Sequence, residues 1–322
     1  GLVAIRDTGK YESLLIIESL FGTIVAVCNI LVIIVMIAGW RRIMKHAFYT
    51  VLANLLFFTS MKAFVELGFI LPYYIRQSYE QPMVSNTFPF KHAFGYFSYK
   101  YQFLIFNISV LADYGVLFFS VLIAVNRLFA VTKITKNTNS VRYGNKLVTA
   151  CTCLLVWVSS FVIPIILFVC ECQYVYSSDL KIYYNDCKAP TELTIIVNSL
   201  QYISYACAVI VLMIYVIICV RLRFCRIMRE RCDKNSNDSN VQMRILRQSI
   251  VVFVLYAASI FSVMALQYIE SIGYFDLAYI ENLLNLSIAA VYPICFLTMS
   301  GDMKKLSYKV YFSKSVSLYL RL

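Results

Sequence analysis

The residues of this chain that could do chemistry are few, and most lie inside long apolar runs. Asp113 and Arg127 share one such run. At about 1.5 Å of rise per helical residue they stand about 21 Å apart on one helix. An ionisable group at span depth is costly, which makes it a functional candidate by default. Asp113 can serve as counter-ion for a cationic ligand, pair with another helix, or be a satisfied structural carboxylate. Lys62 and Glu66 sit in a second run at i,i+4 spacing and can pair on one helix face, with Arg76 competing for Glu66. The only histidines are His46 and His92. No Ser/His/Asp or Cys/His set, HExxH or glycine-rich phosphate loop is present, and Asp113 has no second aspartate in the spans for aspartyl proteolysis. The pattern supplies no catalytic residue, no metal set and no cofactor, so the expectation is a non-enzyme.

The elements that must position these groups follow from composition. The chain has 322 residues, is 61% hydrophobic and only 14% charged. A soluble domain carries about 25% charged residues, so lipid is the expected solvent. Charge-free runs cover 19–40, 147–170, 193–220, 248–269 and 282–301, while 48–71 holds Lys62 and Glu66, and 97–131 holds Lys100, Asp113 and Arg127. Each reaches the ~20 residues a spanning helix needs. The reading is an all-α membrane protein, a seven-transmembrane helix bundle forming a single domain over 1–322. Its spans are expected at about 14–39, 48–71, 97–131, 147–170, 192–220, 248–269 and 277–299. The first is too long for a signal-peptide core.

Basic residues collect in alternate loops. They include Arg41, Arg42 and Lys45 after the first span, Lys133, Lys136 and Arg142 after the third, Arg221 to Arg247 after the fifth, and Lys304, Lys305 and Lys309 after the seventh. This positive-inside bias places the N-terminus outside and the C-terminus in the cytoplasm. The net charge of +12 then reflects topology and proximity to anionic inner-leaflet lipid, not nucleic acid. Most cysteines fall in spans as small apolar residues. Cys172 and Cys187 lie in the outer loop after the fourth span and can form a disulfide there, with Cys170 a rival partner. The outer loop 72–96 is long and aromatic, either a lid or a segment packed on headgroups. Asn29, Asn54, Asn282 and Asn285 are candidates for hydrogen bonds between helices.

Several local motifs, taken in order, resemble the rhodopsin-like branch of the G-protein-coupled receptor superfamily. Cys28-Asn29-Ile-Leu-Val resembles the Gly-Asn-x-x-Val of its first span. Asn126-Arg127-Leu128 resembles the Asp-Arg-Tyr that ends the third. Trp157 and Pro164 resemble the fourth-span tryptophan and proline, and Tyr215 the inward tyrosine of the fifth. Tyr292-Pro293-Ile-Cys-Phe296 resembles Asn-Pro-x-x-Tyr, and Asp302-Met-Lys304-Lys305 resembles the start of a short amphipathic helix after span seven. The chain departs from the pattern in four places. Asn126 replaces the acid beside the arginine, no aspartate occurs around Leu56 and Phe57, the sixth span has no proline, and no cysteine occurs near Gln102 at the start of the third. This eroded set is most similar to the large nematode serpentine chemoreceptor families.

The resemblance implies a multi-pass chemosensory receptor in the plasma membrane, that of a sensory cilium included, which binds a small odorant or pheromone-like molecule on the outer side. It implies a heterotrimeric G protein as the inner partner. Asp113, Gln201, Tyr268 and Asn285 would line the ligand site. Asn126, Arg127, Tyr215, Arg244, Arg247, Tyr292 and Pro293 would serve coupling and activation, with Arg127 meeting the terminal helix of the G protein. The alternative reading is a small-solute transporter or channel subunit, which requires one continuous polar path.

Overall fold

The computed structural model describes residues 8–39, 47–70, 99–135, 146–170, 172–177, 182–187 and 191–232, with 250–251, 254–255, 257–258, 283, 286–287 and 289–294. The elements in chain order are α1 (Thr8–Ala38), α2 (Ala47–Val65), a π-helical turn (Glu66–Ile70), α3 (Tyr99–Thr135), α4 (Lys146–Val169), the strands β1 (Cys172–Ser177) and β2 (Ile182–Cys187), and α5 (Thr191–Cys232).

Among the described residues five segments are long and apolar enough to cross a membrane: Ser19–Ala38, Phe48–Phe69, Leu104–Phe129, Leu147–Val169 and Tyr202–Arg221. They coincide with the first five expected spans. In an apolar solvent a helix is the single-segment solution, because it satisfies every backbone group internally. Polar hydroxyls on these helices close onto their own backbone. Thr23 Oγ1 donates to the Ser19 carbonyl at 2.7 Å, and Ser160 Oγ to the Val156 carbonyl at 2.8 Å. The α1 helix ends where the Gly39 N–H bonds the Val35 carbonyl at 2.9 Å. The outward surface is apolar, with Ile24 and Ile30 of α1, Leu154 and Ile165 of α4, and Met213 and Val220 of α5 all exposed. Lipid solvates such a surface and water does not. Of the sixth and seventh expected spans, the described positions from Ile250 to Ala258 and from Leu283 to Ile294 are helical.

Helix directions follow from the contacts. Asn29 of α1 meets Thr59 of α2, and Gly22 packs on Leu67, so α1 and α2 run antiparallel. Phe58 of α2 meets Phe119 of α3, while Lys62 meets Asp113, so α2 and α3 are antiparallel too. The start of α3 (Phe106, Val110) packs with the end of α4 (Ile163, Leu167). Tyr114 and Thr132 of α3 bond Leu200 and Arg221 of α5 respectively, so those two helices are parallel. The five therefore alternate in direction. The segments joining α1 to α2 and α3 to α4 emerge at the same end of the bundle as Arg127.

At the opposite end the chain departs from helix. The expected loop after α4 is an antiparallel hairpin in which Cys172 pairs with Cys187 and Ser177 with Ile182. Both strands are dense in aromatic and β-branched residues (CQYVYS, IYYNDC), which favour a pleated surface. Cys172 is fully buried in a cluster with Phe106, Val110 and Cys170, so β1 seats on the start of α3. Helix α3 is central: its buried positions Phe106, Val110, Phe119, Ile123, Arg127 and Val131 recur at helical spacing.

Candidate functional site

Polar groups inside the bundle gather in two zones along α3. The first is at its end. Ile123, Arg127 and Val131 follow one another at four-residue spacing on one face, all buried, and Arg127 is 7% exposed. Tyr215 of α5 and Tyr292 in the seventh expected span lie with Ile123 and Val131 in a single buried cluster, both fully enclosed. Pro293 is buried beside Tyr292, whereas Asn126 is half-buried. Below this cluster, Arg221 Nη1 of α5 donates to Thr132 Oγ1 of α3 at 2.7 Å, and that hydroxyl donates to the Leu128 carbonyl at 2.7 Å. The inward tyrosine and the tyrosine–proline step are thus brought to the face of α3 that carries the arginine.

The second zone is centred on α2. Three polar side chains at successive levels tie this helix to three neighbours. Asn54 Oδ1 accepts the Trp157 indole N–H of α4 at 2.7 Å, while its own amide donates to the Thr50 carbonyl at 2.8 Å. Thr59 Oγ1 bonds Asn29 Oδ1 of α1 at 3.1 Å. Lys62 Nζ forms an ion pair with Asp113 Oδ1 of α3. Lipid supplies no hydrophobic drive for helix association, so such contacts and close packing decide which faces meet. Close packing is present at the same level: a Cβ at Gly115 would overlap the Phe58 ring. The Phe58 ring lies 4.5 Å from Trp157 and 5.6 Å from Phe119, centroid to centroid.

The side chain of Glu66, the expected i+4 partner of Lys62, lies outside the described residues. Lys62 reaches across the helix interface to Asp113. The reason is geometric: the Gly115–Phe58 approach brings α2 and α3 together and leaves the ammonium 6% exposed, where the carboxylate neutralises it. Asp113 itself stays 39% exposed. The pairing with another helix is present in this structure. Next to it, the Tyr114 hydroxyl donates to the Leu200 carbonyl of α5 at 3.1 Å, which places the backbone of Gln201 near the same level. The side chain of Gln201 lies outside the described residues, as do Tyr268, Asn285, Arg244, Arg247, the loop 72–96 and the segment after residue 294.

Cys172 is disulfide-bonded, and Cys170 carries a free thiol. That removes Cys170 as the rival partner, and the strand register sets Cys172 opposite Cys187. Among the described residues no group of three His, Cys, Asp or Glu side chains converges on a metal position.

The roles of Asn54 and Thr59 were open in the sequence. Asn54 reads only as generic helix glue, and the level at which α2 would hold Asn29 falls at Thr59, past Leu56 and Phe57 where an aspartate is missing. A family match runs over residues 5–317 and takes in all of these positions. The chain belongs to the family described as "Protein of unknown function (DUF621)". No curated protein matches it. In this DUF621 protein the two polar zones, at Asp113 and at Arg127, stand about 21 Å apart along α3.

Proposed function

We propose that this DUF621 protein is a seven-span chemosensory receptor, N-terminus outside, that binds a small molecule at the hairpin end of the bundle and activates a heterotrimeric G protein at the Arg127 end. The observation that carries the reading is the burial of Arg127. An arginine that only fixes topology reaches out to headgroups and water. Arg127 instead sits inside the bundle on the face shared with Ile123 and Val131. A buried cation at a helix end is costly unless it has a task. The task proposed is contact with the G-protein terminal helix once span six swings outward, with Tyr215 and Tyr292 stabilising the opened face. Binding on the outer side would favour that state by differential affinity. The shared end of the α1–α2 and α3–α4 connections supports the orientation, because Arg41, Arg42, Lys45 and Lys136 fall in those connections. At the other end we assign the hairpin bond to Cys172 and Cys187, which would stiffen a cover over the ligand site.

The test is expression in cells, with G-protein activation followed against a panel of small odorants and Arg127→Ala run beside the native chain. The expected result is a response that disappears in the variant at equal surface abundance. Transport or ionic current without G-protein activation, indifferent to Arg127→Ala, would overturn the proposal in favour of a transporter or channel.

A further inference from the structure

Two buried polar groups on different helices border one junction of the bundle. The first is the Asn29 amide of α1. Asn29 is 1% exposed, its Oδ1 meets Thr59 Oγ1 at 3.1 Å, and its Nδ2 has no hydrogen-bond partner among the described residues. The second is the Ala289 carbonyl in the seventh expected span. Residues 289–294 are helical, and Pro293 stands four positions after Ala289. In a helix the N–H of residue 293 would close onto that carbonyl, and proline has none. The Ser287 hydroxyl, two residues away, donates to the Leu283 carbonyl at 2.7 Å instead. Packing sets the two groups side by side. Val25, one turn before Asn29 on the same face, forms a buried cluster with Ala63 of α2, Ala289 and Ala290. Val32, three residues after Asn29, lies in the buried cluster that contains Tyr292. The Asn29 face of α1 is thus bracketed by clusters that hold the segment 289–292.

We propose that this junction is a binding site for an ordered water, which accepts from Asn29 Nδ2, donates to the Ala289 carbonyl, and so bridges α1 to the seventh expected span where Pro293 breaks its backbone bonding. Three features support this. First, an amide and a carbonyl left unpaired in an apolar interior are costly, and ordered water is one of the agents that satisfy a carbonyl freed by proline in a spanning helix. Second, Ala26, Ala63, Ala289 and Ala290 each bring only a methyl group to the junction, which keeps room beside the amide. Third, the two groups are a donor and an acceptor. Water serves both at once; a cation cannot accept from an amide N–H, and the carboxylate of Asp113 is already engaged by Lys62. A water bridge re-forms after small displacements, so the seventh expected span can turn at Pro293 without stranding either group. What such a turn does for signalling rests on the receptor reading; the water site does not.

The test is hydroxyl-radical footprinting of the full chain in detergent, with oxidised positions read by mass spectrometry. Radicals generated from a bound water mark side chains that bulk solvent does not reach. Val25 and Tyr292 are fully buried, and so are Phe58 and Phe119. In the native chain Val25 and Tyr292 should be oxidised about ten-fold faster than Phe58 and Phe119, after correction for intrinsic reactivity, because only the first two flank the water. Asn29→Leu, close to asparagine in volume, should bring both rates down to that of Phe58 while the exposed Phe57 is oxidised as before. Pro293→Ala returns an N–H to the Ala289 carbonyl and should lower both rates as well; it takes the place of Asn29→Leu if that variant is not monodisperse. Protection of Val25 and Tyr292 in the native chain equal to that of Phe58 would overturn the proposal without any variant. Rates unchanged by the substitutions would overturn it too, because the water then has other partners. Native rates that change when choline chloride replaces sodium chloride would assign the site to a cation instead. The receptor reading fails separately, through the Arg127 experiment.

Discussion

Replacing Gly115 with alanine separates what helix propensity demands from what packing allows. In a helix interior the change from glycine to alanine is worth about 1 kcal/mol of stabilisation. The structure reverses that sign. The new methyl would overlap Cγ, Cδ1 and Cε1 of the Phe58 ring. The ring has nowhere to retreat: it is fully buried, with the Trp157 ring 4.5 Å away and the Phe119 ring 5.6 Å away. Forcing a methyl into a packed site costs about 1–3 kcal/mol, so Gly115→Ala should be neutral to destabilising by up to about 2 kcal/mol. Phe58→Ala removes the obstacle at a cost of its own of about 3 kcal/mol or more. In that background Gly115→Ala should stabilise by about 1 kcal/mol, because only propensity is left. The coupling between the two sites is the overlap itself, about 1–3 kcal/mol. Thermal unfolding of the four purified variants in one detergent measures it. A higher midpoint for Gly115→Ala in the native background, or an effect of the same sign in both backgrounds, would refute the α2–α3 approach on which the Lys62–Asp113 pair depends.

Other outcomes follow from the same contacts. Trp157→Phe keeps a ring against Phe57 and Phe58 but loses the donor to Asn54; it should cost about 1 kcal/mol, and much less when Asn54 is already replaced, as a double-mutant cycle in thermal unfolding will report. Thr59→Val should lower the unfolding midpoint by removing the bond to Asn29, about 0.6–2 kcal/mol, and Thr59→Ser should not. Peptide mapping without reduction should recover Cys172 linked to Cys187 and Cys170 as a free thiol. Cys172→Ser should then cost about 2–4 kcal/mol at the hairpin end, and recovery of Cys172 joined to any other cysteine would break the assignment.

Much of the architecture is legible along the chain. Each of the first five spans announces itself by length and hydropathy, since in an apolar solvent a charge-poor run of about 20 residues has few alternatives to a helix. The helices overrun the apolar runs: α1 begins at Thr8, α3 continues to Thr135 and α5 to Cys232, because helix-forming residues extend outside the apolar zone. The hairpin was legible in the aromatic and β-branched composition of its two segments, but that signal is short and is easily assigned to a loop. Tyr215 and Tyr292 are both fully enclosed in the cluster that holds Ile123 and Val131 of α3, a burial their positions in apolar runs make legible.

The pairing of charged and polar groups belongs to the tertiary structure. Spacing along α2 makes Glu66 the obvious partner of Lys62, because i,i+4 proximity is a local property. Asp113 is reached only once two helices approach, and that approach depends on a missing side chain at Gly115 meeting a ring at Phe58, 57 positions away in the chain. Likewise Asn54 and Trp157, and Asn29 and Thr59, are each unremarkable until helix rotation sets them face to face. Hydropathy specifies that a helix lies in lipid but barely which way it turns, since lipid tails are as apolar as leucine. By itself, then, the amino-acid order determined the five apolar helices found among the described residues up to Cys232 and the alternation of their charged ends. Which side of each helix faces its neighbour, and so which charges neutralise one another, was decided only in the tertiary structure, by close packing such as Gly115 against Phe58 together with the polar contacts between helices.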